Sequence, residues 1–158
     1  MLPLIIAPQP ILKTKAAEIK LPPNLVIKKL SADMFEAMKH YNGIGLAAPQ
    51  VNVSERLIVI ATPENPTAYI NPEIVKSSWK KVAMEEGCLS LPGVFGIVKR
   101  PARILARYFD LAGKPHEEWL DAMVARIYQH EVDHLNGILF IERQPKIIMG
   151  EELLKKYR

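Results

Sequence analysis

His130-Glu131-Val132-Asp133-His134 carries the clearest chemistry in this sequence. Two histidines stand four positions apart, with a glutamate directly after the first. On a helix, residues i and i+4 share one face about a turn apart, so both imidazoles can aim at one metal ion. Glu131 then sits beside that ion, within reach of a proton on a water activated there. The implied chemistry is metal-assisted hydrolysis. Short patterns of this kind also arise on ordinary amphipathic helices, where the histidines and the carboxylate do nothing, so the rest of the chain has to decide.

A catalytic metal usually takes three protein ligands and leaves a fourth position to water. Asp133 lies inside the pattern but points off the histidine face. Downstream of His134 stand the carboxylates Glu142, Glu151 and Glu152, and no histidine. Upstream, Glu86-Gly87-Cys88-Leu89-Ser90 offers the one thiol of the chain. A lone cysteine excludes an intrachain disulfide and is otherwise an inert buried group or a reactive or metal-binding one. A thiolate with two imidazoles makes a softer ligand set, suited to Fe(II), Zn(II), Co(II) or Ni(II).

These residues need elements to hold them. From Leu25 to Tyr41 apolar residues recur at helical spacing, with Asn24 as N-cap and Gly43 after the end. Arg56 to Ala61 reads as a short buried strand. Ala68 to Val75 reads as a strand bent or broken at Pro72, and Val94 to Val98 and Ala102 to Phe109 as further strands. Asp110 to Lys114 is a turn, and Pro115 to Leu120 completes a hairpin. Asp121 caps a second helix, Ala122 to Leu135, which places Met123, Ile127, His130 and His134 on one face. A short last helix spans about Gly150 to Tyr157. Helices before and after a block of strands predict a segregated α+β fold.

The 158 residues predict a single domain, 1–158, with a tail from about 143, large enough to bury a core without disulfide or metal staples. No run of 18 apolar residues predicts a membrane helix. Met1 to Ile6 lacks a preceding basic segment and is interrupted by Pro3, Pro8 and Pro10 nearby, which predicts no signal peptide and a cytoplasmic location. The net charge of +4 comes from scattered Lys and Arg, with no block or interleaved aromatic stripe that predicts a dedicated nucleic-acid site. No glycine-rich phosphate loop follows a strand, so no nucleotide cofactor is suggested.

The chain resembles the peptide deformylases in three blocks. They are Gly43-Ile44-Gly45-Leu46-Ala47-Ala48-Pro49-Gln50, then Glu86 to Ser90, then Gln129-His130-Glu131-Val132-Asp133-His134-Leu135-Asn136-Gly137. The resemblance runs from the N-terminal extended segment to about Glu142. It implies antiparallel sheets packed around a central helix that carries the histidine motif. It implies one divalent ion held by Cys88, His130 and His134, Fe(II) first among the candidates, with Glu131 as general acid and base. It also implies that the Gln50 amide and the Leu89 backbone N–H receive a developing oxyanion. Gly45 and Gly87 allow close backbone approach to a ligand. The implied reaction removes the formyl group from the N-terminal formyl-methionine of nascent polypeptides.

The methionine side chain then needs an apolar pocket. Met123, Ile127 and the aliphatic stem of Arg126 are candidates on the helix, with Ile44 and Met84 from elsewhere, and the substrate backbone is expected beside Gly43 to Gly45 as an added strand. Glu86 is expected to pair with Arg100 and steady the Cys88 loop. Gln129 and Asp133 read as supporting residues, and His40 and His116 as surface residues. Four places depart from the family pattern: Gln9-Pro10-Ile11, Asn52 and Ala122 where glycine is common, and Lys99 where proline is frequent. The basic tail, Gln144 to Arg158, is the least family-like part and raises the idea of a ribosome contact. Two rival readings stand beside this one. A histidine-motif endopeptidase lacks its downstream ligand here, and a non-catalytic relative would have lost a ligand or the glutamate, whereas every position is filled.

Overall fold

The structure, a computed structural model, describes all residues from Met1 to Arg158. Helix α1 (Leu25–His40) begins where the Asn24 side chain accepts from the Ile27 N–H at 3.0 Å, the capping arrangement that satisfies an orphan donor. Strands β1 (Gly45–Ala47), β2 (Leu57–Ala61), β3 (Pro66–Ser77), β4 (Lys81–Gly87), β5 (Phe95–Pro101), β6 (Arg103–Phe109) and β7 (Pro115–Asp121) follow, then helix α2 (Ala122–Leu135). Strand β8 (Lys146–Met149) and the short helix α3 (Leu154–Tyr157) close the chain.

The strands form two antiparallel sheets, one ordered β1-β2-β3-β6-β7 and the other β4-β5-β8. The α+β expectation holds, with antiparallel sheets and helices on either side of the strand block. Strand β2 explains the layering. Its alternate residues face opposite ways, so Ile58 and Ile60 join the cluster around α2, while Leu57 and Val59 join the cluster under α1. It is buried on both faces, which is why it reads as a continuous apolar run.

Helix α2 is enclosed: every residue from Ala125 to Leu135 is buried. It is tied down by polar bonds as well as by packing. The Tyr128 hydroxyl donates to the Glu73 and Arg107 carbonyls at 3.1 and 3.2 Å. The Gln129 amide donates to Pro101 O at 3.0 Å, and the Arg56 guanidinium donates to Leu135 O, at the last turn, at 3.0 Å. Gly137 follows at φ +72°, the left-handed residue that commonly ends a helix.

Several expectations are refined. Strand β3 shifts register between Ile70 and Glu73, around Pro72, which has no N–H to give the ladder. The short strand β1, strand β4 and strand β8 carry no strong alternating signal and were not anticipated. The tail is built into the fold on its apolar side: β8 pairs with β5, Leu154 and Tyr157 are buried, and the Tyr157 hydroxyl donates to Pro92 O at 2.8 Å, while Lys146, Lys155, Lys156 and Arg158 stay exposed. The expected last helix is instead a turn of 3-10 helix, Glu151–Leu153, followed by α3. His40 is exposed as expected. His116 is not a free surface residue, since its ring stacks on Tyr108 and its Nε2 lies 2.8 Å from Asp110.

Candidate active site

Three elements meet at the motif. Helix α2 supplies His130, Glu131 and His134. The turn after β4 supplies Cys88 and Leu89. The 3-10 turn after β1, Ala48–Val51, supplies Gln50. One ligand atom each from Cys88, His130 and His134 lies within 4.8 Å of the others. Cys88 Sγ is 3.3 Å from His134 Nε2. His130 commits its Nδ1 to Glu86 Oε1 at 2.7 Å, which leaves its Nε2 for a ligand. His134 Nδ1 is buried without a partner. A thiolate and two imidazoles this close together fit one divalent ion of intermediate softness. None of the downstream carboxylates joins them.

Glu86 is the hub behind His130. Its carboxylate takes Arg100 through Nε at 2.6 Å and Nη2 at 2.9 Å, and Arg126 through Nη1 at 2.7 Å. Arg100 also reaches Asp133 Oδ2 at 2.9 Å, and Arg143 closes on the same carboxylate. Burial alone would raise the Glu86 pKa. The hydrogen bonds from His130 and Arg100 outweigh it and hold the group far below the usual carboxylate range. Burial also disfavours a charged His130, yet its contacts with Cys88 and Glu86 raise it well above the usual imidazole value. His134 goes the other way, lowered by burial and by the charges of His130 and Arg100. The expected Glu86–Arg100 pair is therefore present, as part of a larger network with Asp133.

Glu131 is 4% exposed, with Oε2 lacking any protein partner. Burial pushes its pKa up to about 7, against the pull of His130, the range in which a carboxylate can both take and return a proton. Gln50 is oriented without ambiguity. Its Oε1 accepts from Ala47 N at 2.9 Å, so its Nε2 faces Cys88 Sγ at 3.6 Å and Ser90 Oγ at 3.1 Å. The Leu89 N–H is absent from the backbone hydrogen bonds of the loops, so it is free to donate.

These groups open on a cleft of about 480 Å³. Gly43, Ile44, Gly45, Gly87, Met123, Arg126 and Ile127 line it as the sequence suggested. Met84 does not. It sits on β4 opposite Val98, away from the lining. The Arg126 head is fixed as well as its stem, donating to Val98 O at 2.9 Å and Val82 O at 2.6 Å. Asn42, Glu85, Pro92, Gly93 and Phe95 also line the cleft, and sequence reasoning missed them. Phe95 could have been found by its place beside the Cys88 block. At both lining glycines a Cβ would also collide with neighbouring side chains. A Cβ on Gly45 would stand 2.5 Å from Ile127 Cγ2 and 2.6 Å from Glu131 Oε1, and one on Gly87 would stand 2.6 Å from the Phe95 ring.

Residues 1–148 match the family model described as polypeptide deformylase. The chain is 44% identical over 147 residues to the peptide deformylase of Desulforudis audaxviator, covering 92% of this chain and 94% of that protein. It is 40% identical over 161 residues to the peptide deformylase of Brucella suis, covering 99% and 91%. The crystal structure of peptide deformylase from Thermotoga maritima superposes with a TM-score of 0.88 at 40% identity, covering 90% of this chain and 97% of that one. The Met-Ala-Ser-bound class I type b peptide deformylase from Acinetobacter baumannii gives 0.86 at 39%, covering 90% and 98%. The family model spans nearly the whole chain, the relatives and solved structures match in sequence and fold, and the chain belongs to the polypeptide deformylase family.

Proposed function

We propose that the cleft removes formate from the N-formyl-methionine of nascent polypeptides, with Cys88, His130 and His134 holding one divalent ion, Fe(II) in the cell. The observation that carries this reading is the convergence of those three donors within 4.8 Å on a cleft that Glu131 and Gln50 also line. When bound, the ion lowers the pKa of water and polarises the formyl carbonyl.

The protein's own groups do the rest. Glu131 takes a proton as water oxygen adds to the formyl carbon, and returns it to the amide nitrogen as the C–N bond breaks. Formate and a free amino terminus leave. Gln50 Nε2 and the Leu89 N–H donate to the oxygen that gains negative charge; removal of one such donor costs about 2.7–4 kcal/mol. Glu86, anchored by Arg100 and Arg126, fixes the tautomer and plane of His130.

The cleft favours a peptide in extended form. β1 and β4 are both edge strands and both contribute lining, so a substrate backbone beside Gly43 to Gly45 can add main-chain hydrogen bonds with little sequence preference. The Acinetobacter baumannii relative is bound to Met-Ala-Ser, and a peptide of that kind fits this placement. Met123, Ile127 and the Arg126 stem receive the methionine side chain. We place the whole chain, as one catalytic domain, in the cytoplasm; no helix is long and apolar enough to cross a membrane. A ribosome contact through the tail would use the exposed Lys146, Lys155, Lys156 and Arg158, since Leu154 and Tyr157 are buried.

The deciding experiment is formate release from formyl-Met-Ala-Ser by anaerobically prepared, Fe(II)-loaded protein, beside Glu131→Gln at equal metal occupancy. Turnover in the parent and its loss in the variant support the reading. A fully metallated parent without turnover overturns it.

A further inference from the structure

Trp79 is 97% exposed, the most exposed large apolar side chain of the molecule. It sits at the tip of the turn between β3 and β4, in Lys76-Ser77-Ser78-Trp79-Lys80-Lys81. A bare indole on a loose loop would mean little, but this turn is pinned. Ser78 N donates to Arg103 O at 2.9 Å and Ala102 N to Lys80 O at 2.9 Å. Arg103 N donates to Ser78 Oγ at 3.1 Å, and that hydroxyl donates to Lys80 O at 2.9 Å. The ring is therefore displayed from a fixed backbone rather than tucked away.

The same hydrogen bonds bring a second aromatic and further cations alongside. Arg103 lies 5.1 Å over the ring of Trp119, itself 47% exposed. Lys76 stands opposite Leu105, which stands opposite Trp119 across β3, β6 and β7. Lys76, Lys80, Lys81 and Arg103 form no ion pair with any carboxylate. The acids nearby are Asp121, opposite Arg103 in the ladder, and Glu73 and Glu117, both of which face Arg107.

We propose that this tip, Trp79 with Lys76, Lys80, Lys81, Arg103 and Trp119, is a docking surface for single-stranded or looped RNA. An open indole among unpaired cations is the combination that binds such RNA: bases stack on the Trp79 ring and the cations meet the phosphates, while Trp119, with Arg103 over one face, adds a second, half-exposed ring. A membrane partner would call for more apolar side chains at the tip, where serines and lysines flank the indole instead. An acidic peptide would use the cations and leave the ring idle. The proposal goes beyond the deformylase reading and draws on it in one respect: a nascent-chain substrate is presented by an RNA-built machine, and a weak hold on RNA near it would raise the local concentration of enzyme.

The test is fluorescence anisotropy of a labelled unstructured RNA of about ten nucleotides, titrated with metal-loaded full-length protein; site sizes of this order are usual for stacking surfaces. Trp79→Ala should weaken binding about tenfold or more, while Trp79→Phe keeps most of it. Lys80→Glu with Lys81→Glu should abolish it. With three phosphates engaged, the parent should lose roughly twentyfold between about 50 and 200 mM salt. Formate release from free formyl-Met-Ala-Ser should be unchanged in every variant, which separates failure of the tip from failure of the catalytic reading. Equal RNA binding by parent and Trp79→Ala overturns the proposal. So does binding to anionic vesicles without binding to RNA, or no RNA binding at low salt.

Discussion

Glu86 Oε1 and His130 Nδ1 are joined at 2.7 Å, and that contact couples the charge network of the interior to the histidine face of α2 proposed to hold the metal. Glu86 comes from β4 and His130 from α2, so the bond also ties one sheet to the central helix. Glu86→Gln keeps the shape but replaces a charge-assisted acceptor and leaves Arg100 with Asp133 as its remaining carboxylate. Metal affinity should fall about 10–100-fold, the usual cost of losing such a partner. Competition with a chelator at matched protein concentration measures this. Equal metal retention by the variant and the parent would uncouple the network from the site.

Gly45 sets the distance between β1 and Glu131. Gly45→Ala forces its Cβ into the space of Ile127 Cγ2 and Glu131 Oε1, at 2.5 and 2.6 Å. Glu131 Oε1 is the end of a side chain and can swing, but Ile127 Cγ2 is fixed on the Cβ of a buried helical residue, so the substitution both pushes the carboxylate aside and presses β1 against α2. A displacement near 1 Å can cost about 10²-fold in rate. The expected result is a kcat loss of that order with normal metal content, together with a lowered melting temperature, since overpacking a buried position costs about 1–3 kcal/mol. Normal kcat would show that Glu131 has room to adjust.

Much of this site was legible in the residues. The i, i+4 histidines lie on α2 because its boundaries, Ala122–Leu135, follow the apolar spacing and the Asn136-Gly137 stop. Cys88 stands out as the one thiol upstream of the histidines, while Gln50 comes through the family resemblance, since nothing in periodicity says that a turn after β4 and a turn after β1 meet at one helix. What stayed hidden was set by tertiary contact. β8 reads as a polar tail until β5 offers it an edge. Met84 looked like a pocket residue because it is apolar and near the Cys88 block, yet its place on β4 keeps it off the cleft lining. Lys76, Trp79, Lys80 and Lys81 stand together in the sequence, but Arg103 and Trp119 are brought toward them only through strand pairing.

Two departures from the family pattern coincide with left-handed backbone. Asn52 has φ +66° and Ala122 has φ +48°, both at positions where the resemblance leads us to expect glycine. Left-handed geometry costs a residue with a Cβ roughly 1–2 kcal/mol, and asparagine tolerates it better than alanine. Ala122→Gly should therefore stabilise the protein by about 1 kcal/mol, raising Tm by roughly 2–4 °C. Asn52→Gly should do less. A lower Tm for Ala122→Gly in a thermal melt would show that the strain is relieved in some other way.

The end of the chain should matter for stability more than its charge suggests. Leu154 and Tyr157 are buried in the cluster with Leu12, Leu91 and Phe140. Leu154→Ala should cost about 2–5 kcal/mol, as a large-to-small change in a core does. Lys155→Ala, at an exposed neighbour, should fall within about 0.5 kcal/mol of the parent. Urea denaturation of both variants tests the contrast, and equal midpoints would mean that α3 is not part of the cooperative unit.

Glu142 gives a pH signature away from the Cys88, His130 and His134 cluster. Burial raises its pKa, but the Lys13 ammonium at 2.5 Å and the Leu139 N–H at 2.7 Å outweigh that and leave it lowered. A carboxylate with a depressed folded pKa adds stability above its unfolded value, about 4.3, and loses it as pH falls through the folded value. Glu142→Gln can keep the Leu139 bond but not the ion pair. The pair is half exposed, with side-chain exposures of 49% and 43%, so solvent screening holds its worth to about 1 kcal/mol or less. The variant should melt slightly below the parent at pH 7, and the two curves should converge as pH drops below about 4.3. Salt should narrow the pH 7 gap, since an exposed pair is screened. A gap that stays constant from pH 7 to pH 3, or that widens in acid, would mean that the carboxylate charge contributes nothing there and that the loss is one of packing.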